Sequence, residues 1–150
     1  RSTLFPYTTL FRSGSAAQHM AVNYLAPVEL TQRLLPALRA ARGTVVYLNS
    51  GAGRQAAAGW SAYSASKHAA RGWCDALRAE EPEIRVTSVF PGRIATDMQR
   101  AIRAQEGLPY VPDEYLDPNT VVWVVGDALE TPRDASLTDV VVRPALPPLL

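Results

Sequence analysis

Three short β-branched runs, TVVYL at residues 44–48, IRVTSVF at 84–90 and LTDVVV at 137–142, are separated by segments whose apolar residues recur every three or four positions. That alternation leaves few folds open. A strand that reaches its neighbour through a helix pairs with it in parallel, so the pattern predicts an α/β chain with helices on both faces of a parallel sheet. The longest helical pattern covers residues 16–41, carried by Met20, Tyr24, Leu30, Leu34, Leu35 and Leu38, with bends expected at Pro27 or Pro36 and Gly43 as the stop. A second helix is expected over 61–78 with Ser61 as its cap, a short one over 96–104, and a last one ending near Leu129 behind a cap at Asn119 or Thr120. TVVYL, closed by Asn49-Ser50-Gly51, reads as a strand buried on both faces. Residues 105–118 hold Gly107, Pro109, Pro112 and Pro118 and read as a loop.

Composition removes several functions. The net charge of +1 gives no basic field for nucleic acid, and no uncharged apolar run approaches the ~18 residues of a membrane span. Cys74 is the lone cysteine, so an internal disulfide is excluded, and a reducing cytoplasmic setting is expected. With only His19 and His68 beside it, no metal site is expected. His68 reads as a solvated helix position, Asp97 as a helix-start charge and Cys74 as core.

Residues 1–13, RSTLFPYTTLFRS, show no periodicity and no secretory pattern, because Pro6 and two Thr interrupt any apolar stretch. From Leu4 onward they resemble the translation of a common sequencing-library adapter. They are therefore set aside as an artefact, and residues 14–150 are read as part of one domain.

The basic residues carry a more pointed signal: fourteen are Arg and one, Lys67, is Lys. An ammonium is a compact charge with a tunable pKa, which a guanidinium is not. Tyr63 lies four residues before it on the same helix face, where a cation favours phenolate and draws the phenol toward acid/base work near neutral pH. Taken alone, the pair reads equally as a surface contact worth a few tenths of a kcal/mol. Ser50 adds weight, since it ends a parallel strand on the edge where open α/β sheets bind ligands, and the next helix returns Tyr63 to that edge.

Ser50, Tyr63 thirteen residues later and Lys67 within YSASK together resemble the catalytic set of the short-chain dehydrogenase/reductase family, in its compact single-domain branch. PGRIAT at residues 91–96 is similar to a family stretch after the sixth strand, and Asn23 in VNYLAP matches the family's helix asparagine. The resemblance implies the C-terminal part of a doubly wound Rossmann-type sheet, with three strands and their flanking helices. It implies hydride transfer between NAD or NADP and a carbonyl or secondary alcohol, the latter being the small-molecule partner. Tyr63 would be the acid/base, Lys67 its pKa partner and ribose contact, Ser50 the carbonyl polariser, and Asn23 the holder of a relay water. Pro91, Gly92, Ile94 and Thr96 would meet the cofactor, Ile94 at the carboxamide and Thr96 near the phosphates. Gly51, Trp60, Met98 and Tyr110 are the candidate substrate contacts, with Leu108 and Tyr115 in the same lid loop or packed there for ordinary reasons. A homo-oligomer is implied as well.

The departures matter as much. No T-G-x-x-x-G-x-G phosphate loop and no N-N-A-G segment occurs, and Gly51 and Gly53 follow Ser50 rather than precede it. The expectation is an N-terminally truncated fragment, inactive by itself, of an oxidoreductase. The alternative is a non-catalytic nucleotide-binding or structural protein on the same fold.

Overall fold

The computed structural model describes residues 15–145; the adapter-like stretch lies outside them. The expected long helix forms as one run: α1 (Ser15–Met20), a π-helical turn (Ala21–Leu25) and α2 (Ala26–Ala41). Proline 27 enters at the first turn of α2, where its missing N–H costs little, and a wide turn precedes it. Arg42 takes the left-handed position that ends α2, at φ 47°, and Gly43 follows with its N–H on the Leu38 carbonyl at 2.8 Å. A Cβ on Gly43 would lie 2.9 Å from Leu38 Cδ2, the tip of a flexible side chain that can move aside.

Strands β1 (Thr44–Leu48), β2 (Arg85–Pro91) and β3 (Asp139–Val142) form a parallel sheet in the order β1-β2-β3, with Val45 opposite Val86 and Val89 opposite Val140. Between them run α3 (Ser61–Glu80), α4 (Asp97–Glu106) and α5 (Pro118–Glu130). Several ends differ from the sequence reading by a residue or two. Trp60, not Ser61, is the N-cap of α3 and does not cap the helix through its side chain, while Asp117 caps α5 by accepting from the Asn119 N–H, with Pro118 at the first helical position. Strand β1 is half-buried rather than buried on both faces, with Leu48 49% exposed, because among the described residues it has a sheet neighbour only in β2.

Alternation along the central strand sorts the two faces. Val86 packs with Cys74, Leu77 and Ile84, joined by Leu35, Leu38, Val45, Tyr47 and Trp73, so α2 and α3 share one face. Arg85 points the other way, donating to Thr44 Oγ1 and to the Leu129 and Thr131 carbonyls at the end of α5. Helices thus cover both faces, and β2 between them has Val86, Val89 and Phe90 fully buried.

Leu77, 5% exposed in this core, sets a test of the packing. Leu77→Ala is expected to lower unfolding free energy by about 2–4 kcal/mol in urea titrations, whereas Met98→Ala, at a surface position of α4, should shift it by less than about 0.5 kcal/mol.

Candidate active site

The C-terminal end of β1 runs directly into the site. Asn49 is buried, its N–H bonded to the Val89 carbonyl at 2.8 Å, and its side chain reaches both ways. Its Oδ1 accepts from the Ser50 N–H at 2.8 Å, and its Nδ2 donates to the Lys67 carbonyl on α3 at 3.1 Å. Gly53 lies under this bridge, where a Cβ would stand 2.3 Å from Asn49 Oδ1. Asn49 therefore fixes the strand end carrying Ser50 to the helix carrying Tyr63 and Lys67. Sequence reading treats it as a strand-ending turn residue.

Ser50 caps the 3-10 turn Gly51–Gly53, its Oγ accepting from the Ala52 N–H at 3.2 Å. Its hydroxyl also donates to the Tyr63 phenol, so the two expected partners meet. The Tyr63 ring is gripped edge-on by Trp60, with centroids 5.6 Å apart, and by His19, at 5.7 Å. Burial pushes the Tyr63 phenol above its ordinary value and the Ser50 bond opposes that rise. The expected lowering of this phenol by Lys67 is not seen. Desolvation outweighs every stabilisation of the phenolate here.

Lys67 is only 8% exposed, and burial lowers its ammonium to about 8. Its Nζ donates to the Leu48 carbonyl at 3.0 Å and lies 3.5 Å from the Tyr47 hydroxyl, 5.1 Å from the Tyr47 ring centre and 5.9 Å from that of Tyr63. Asn23 does not touch the lysine. Its Nδ2 donates to Ser66 Oγ at 3.0 Å, and its carbonyl accepts from the Tyr47 hydroxyl.

Beyond β2, the Gly92 N–H is engaged by the Val142 carbonyl at 2.7 Å, and Ile94 pairs with Leu116 in an isolated parallel bridge. In that bridge the bonds run from Ala95 N–H to the Leu116 carbonyl and from Leu116 N–H to the Arg93 carbonyl. The Ile94 N–H is left facing away from the bridge, without a partner among the described residues, and suits an incoming amide oxygen. The Thr96 hydroxyl is engaged as the N-cap of α4, accepting from the Gln99 N–H at 3.3 Å.

The four candidate substrate contacts divide. Trp60 touches Tyr63, and Gly51 abuts the Arg143 guanidinium, which would lie 2.7 Å from an added Cβ. Met98 is 74% exposed on α4, and Tyr110 is stacked on Tyr115 at 5.4 Å with Arg100 4.4 Å above its ring. Those ring contacts tie the loop over 107–117 to itself and to α4; among the described residues neither Met98 nor Tyr110 makes a hydrogen bond or ring contact with Ser50 or Tyr63. Leu108 is exposed in the same loop. Among the described residues no cluster of three His, Cys, Asp or Glu side chains forms, and no helix is long and apolar enough to cross a membrane.

Comparison with known proteins bears on this geometry. A family model described as short chain dehydrogenase matches residues 8–107. The chain is 38% identical over 134 residues to dehydrogenase/reductase SDR family member 7B of Mus musculus, covering 81% of this chain and 41% of the relative. It therefore spans less than half the length of that protein. A short-chain dehydrogenase/reductase structure from Corynebacterium glutamicum shares 34% identity at a TM-score of 0.65, covering 87% of this chain and 57% of that one. A short chain dehydrogenase from Burkholderia cenocepacia, in complex with NADP, shares 28% identity at 0.69, covering 86% and 50%. Since the family model alone takes in well over half of the residues, and the same sheet recurs in both solved structures, this chain belongs to the short-chain dehydrogenase/reductase family.

Proposed function

We propose that this chain supplies the proton-transfer and nicotinamide side of an oxidoreductase site that moves hydride between a nicotinamide dinucleotide, NAD or NADP, and a carbonyl or secondary alcohol. The observation that carries this reading is the meeting of Ser50, Tyr63 and Lys67 at one sheet edge, tied by Asn49, with the Ile94 N–H beyond the end of β2 left without a partner among the described residues. The Ile94 amide, without a partner among the described residues, would donate to a carboxamide oxygen, and Lys67, which donates to Leu48 and Tyr47, would have a third donor for a ribose hydroxyl. When bound, the nicotinamide ring supplies or accepts the hydride.

This chain's own residues handle the proton. Tyr63, a phenol already protonated at pH 7 at its ordinary value and shifted further that way by burial, is the acid that protonates the carbonyl oxygen in the reductive direction. The Ser50 hydroxyl, with its single proton, donates a hydrogen bond to the developing oxyanion. The Lys67 ammonium stabilises the phenolate left behind electrostatically, and Asn23 bears on the lysine through the Tyr47 hydroxyl that its carbonyl holds. Trp60 and His19, in T-shaped contact with the phenol ring, hold it at a fixed angle.

The tests are kinetic and need a protein that contains this segment together with a Gly-rich phosphate loop. Tyr63→Phe should reduce nicotinamide oxidation, followed by absorbance, by about 10²- to 10⁴-fold, the range typical of a lost general acid. Retention of more than half the rate would remove Tyr63 from the mechanism. Lys67→Arg should also be slow, since a planar guanidinium cannot sit between Leu48, Tyr47 and Tyr63 as the ammonium does. Because Lys67 titrates at about 8, the reductive rate should fall as pH rises through that value and the cation is lost. A rate still rising at pH 10 would contradict this assignment.

The 150 residues by themselves are a separate case. A pyrophosphate needs a Gly-rich turn at a helix N-terminus, and this sequence has none. Calorimetric titration with NADH and NADPH should therefore give no dissociation constant at or below ~10 μM, a threshold that corresponds to roughly −7 kcal/mol.

A further inference from the structure

Tyr47 stands out because three contacts converge on it from elements that are distant in sequence. Its hydroxyl donates to the Asn23 carbonyl, its oxygen faces Lys67 Nζ at 3.5 Å, and the ammonium sits 5.1 Å from its ring centre. The other edge of the ring meets Trp73 at 6.0 Å in a T-shaped contact, which fixes its plane.

The Asn23 carbonyl is available for a reason visible in the chain. In an α-helix it would accept from the N–H four residues on, and residue 27 is proline, which has none. The π-helical turn at Ala21–Leu25 marks the same interruption. A carbonyl denied its helical partner needs another donor, and the Tyr47 hydroxyl supplies it. Having given its proton to Asn23, that hydroxyl presents only lone pairs to Lys67. The hydroxyl orientation is therefore fixed as an acceptor, the polarity that an ammonium requires.

We propose that Tyr47 is a positioning residue for Lys67: its hydroxyl, oriented by the Asn23 carbonyl, and its π face hold the lysine as a cation beside Tyr63. The inference rests on the reading of Lys67 as the partner of the catalytic phenol, but the contact itself is tested without catalysis. Tyr47 suits this part because burial pushes its own phenol up to about 12, so it stays neutral while Lys67 titrates. The titratable groups facing Lys67 are Tyr47 from β1 and Tyr63 and Cys74 from α3; His19 approaches only the Tyr63 ring. None of the four is a carboxylate, which leaves the Leu48 carbonyl, the two rings and the Tyr47 oxygen to support the charge.

Lys67 is the sole lysine of the chain, so protein grown on lysine labelled with carbon-13 at Cε gives one side-chain lysine resonance that needs no assignment. Its chemical shift followed against pH reads the ammonium pKa directly, while circular dichroism reports whether each variant is folded. Tyr47→Phe keeps the ring against Trp73 and removes the hydroxyl, both as acceptor for Lys67 and as donor to the Asn23 carbonyl; the midpoint should fall by roughly one unit, a tenfold change in proton affinity. Tyr47→Leu removes the π face too and should lower it further. Tyr63→Phe serves as the control, since no hydrogen bond joins its hydroxyl to Lys67 among the described residues, and should move the midpoint by less than about 0.3 unit, a small fraction of the one-unit change expected from Tyr47→Phe. An unchanged midpoint in both Tyr47 variants, or a larger shift in the Tyr63 variant, would overturn the proposal. Loss of the proposed function would show instead as a Tyr63→Phe enzyme that keeps its rate, so the two failures are separable.

Discussion

The buried amide of Asn49 is the interaction on which the site's geometry depends. A strand end and a helix meet there at backbone level, because one side chain satisfies the Ser50 N–H and the Lys67 carbonyl at once. Neither bond is individually large, at about 1 kcal/mol net, but a buried amide left half-paired costs more than either bond contributes. The arrangement is therefore close to all-or-none, and Gly53 is part of it because any side chain there would occupy the space of Asn49 Oδ1. The distance between the serine hydroxyl and the phenol is set by this bridge, not by loop conformation.

The lysine beside it is held in an unfavourable environment for a cation. Burying an ammonium removes its hydration, and no carboxylate compensates; a carbonyl dipole and two aromatic faces do so in part. Burial shifts both partners against their charged forms, raising the Tyr63 phenol and lowering the Lys67 ammonium. The two affinities, nearly equal in water, are thereby drawn apart, so that as pH rises the lysine gives up its proton before the phenol does.

Much of this was legible in the chain, and the illegible part has a common cause. The strands stand out because β-branched runs bounded by turn residues suit little else, and Ser50, Tyr63 and Lys67 are legible because their spacing lies along one strand end and one helix. The helix caps were misplaced by a residue or two, at Ser61 and at Asn119, since several polar residues compete near each end and only backbone geometry selects among them. Asn49 and Tyr47 were hidden more deeply. Each looks like ordinary turn or strand composition, and its role comes from partners 18 and 24 residues away. The one local clue was Pro27, four residues after Asn23, which announces an unpaired helical carbonyl but not what will bond to it. The pairing of Tyr110 with Tyr115 was hidden in the same way, because both lie in a loop without a period.

The small bridge between Ile94 and Leu116 has a different kind of consequence. By joining the two ends of the excursion that contains α4, it makes that stretch a closed appendage hung from a fixed hinge point. The entropy of closing such a loop grows only slowly with its length, by about 0.6 kcal/mol per doubling. Descendants of this sequence can therefore lengthen, shorten or rewrite the span between those two residues while Ser50, Tyr63 and Lys67 remain where they are.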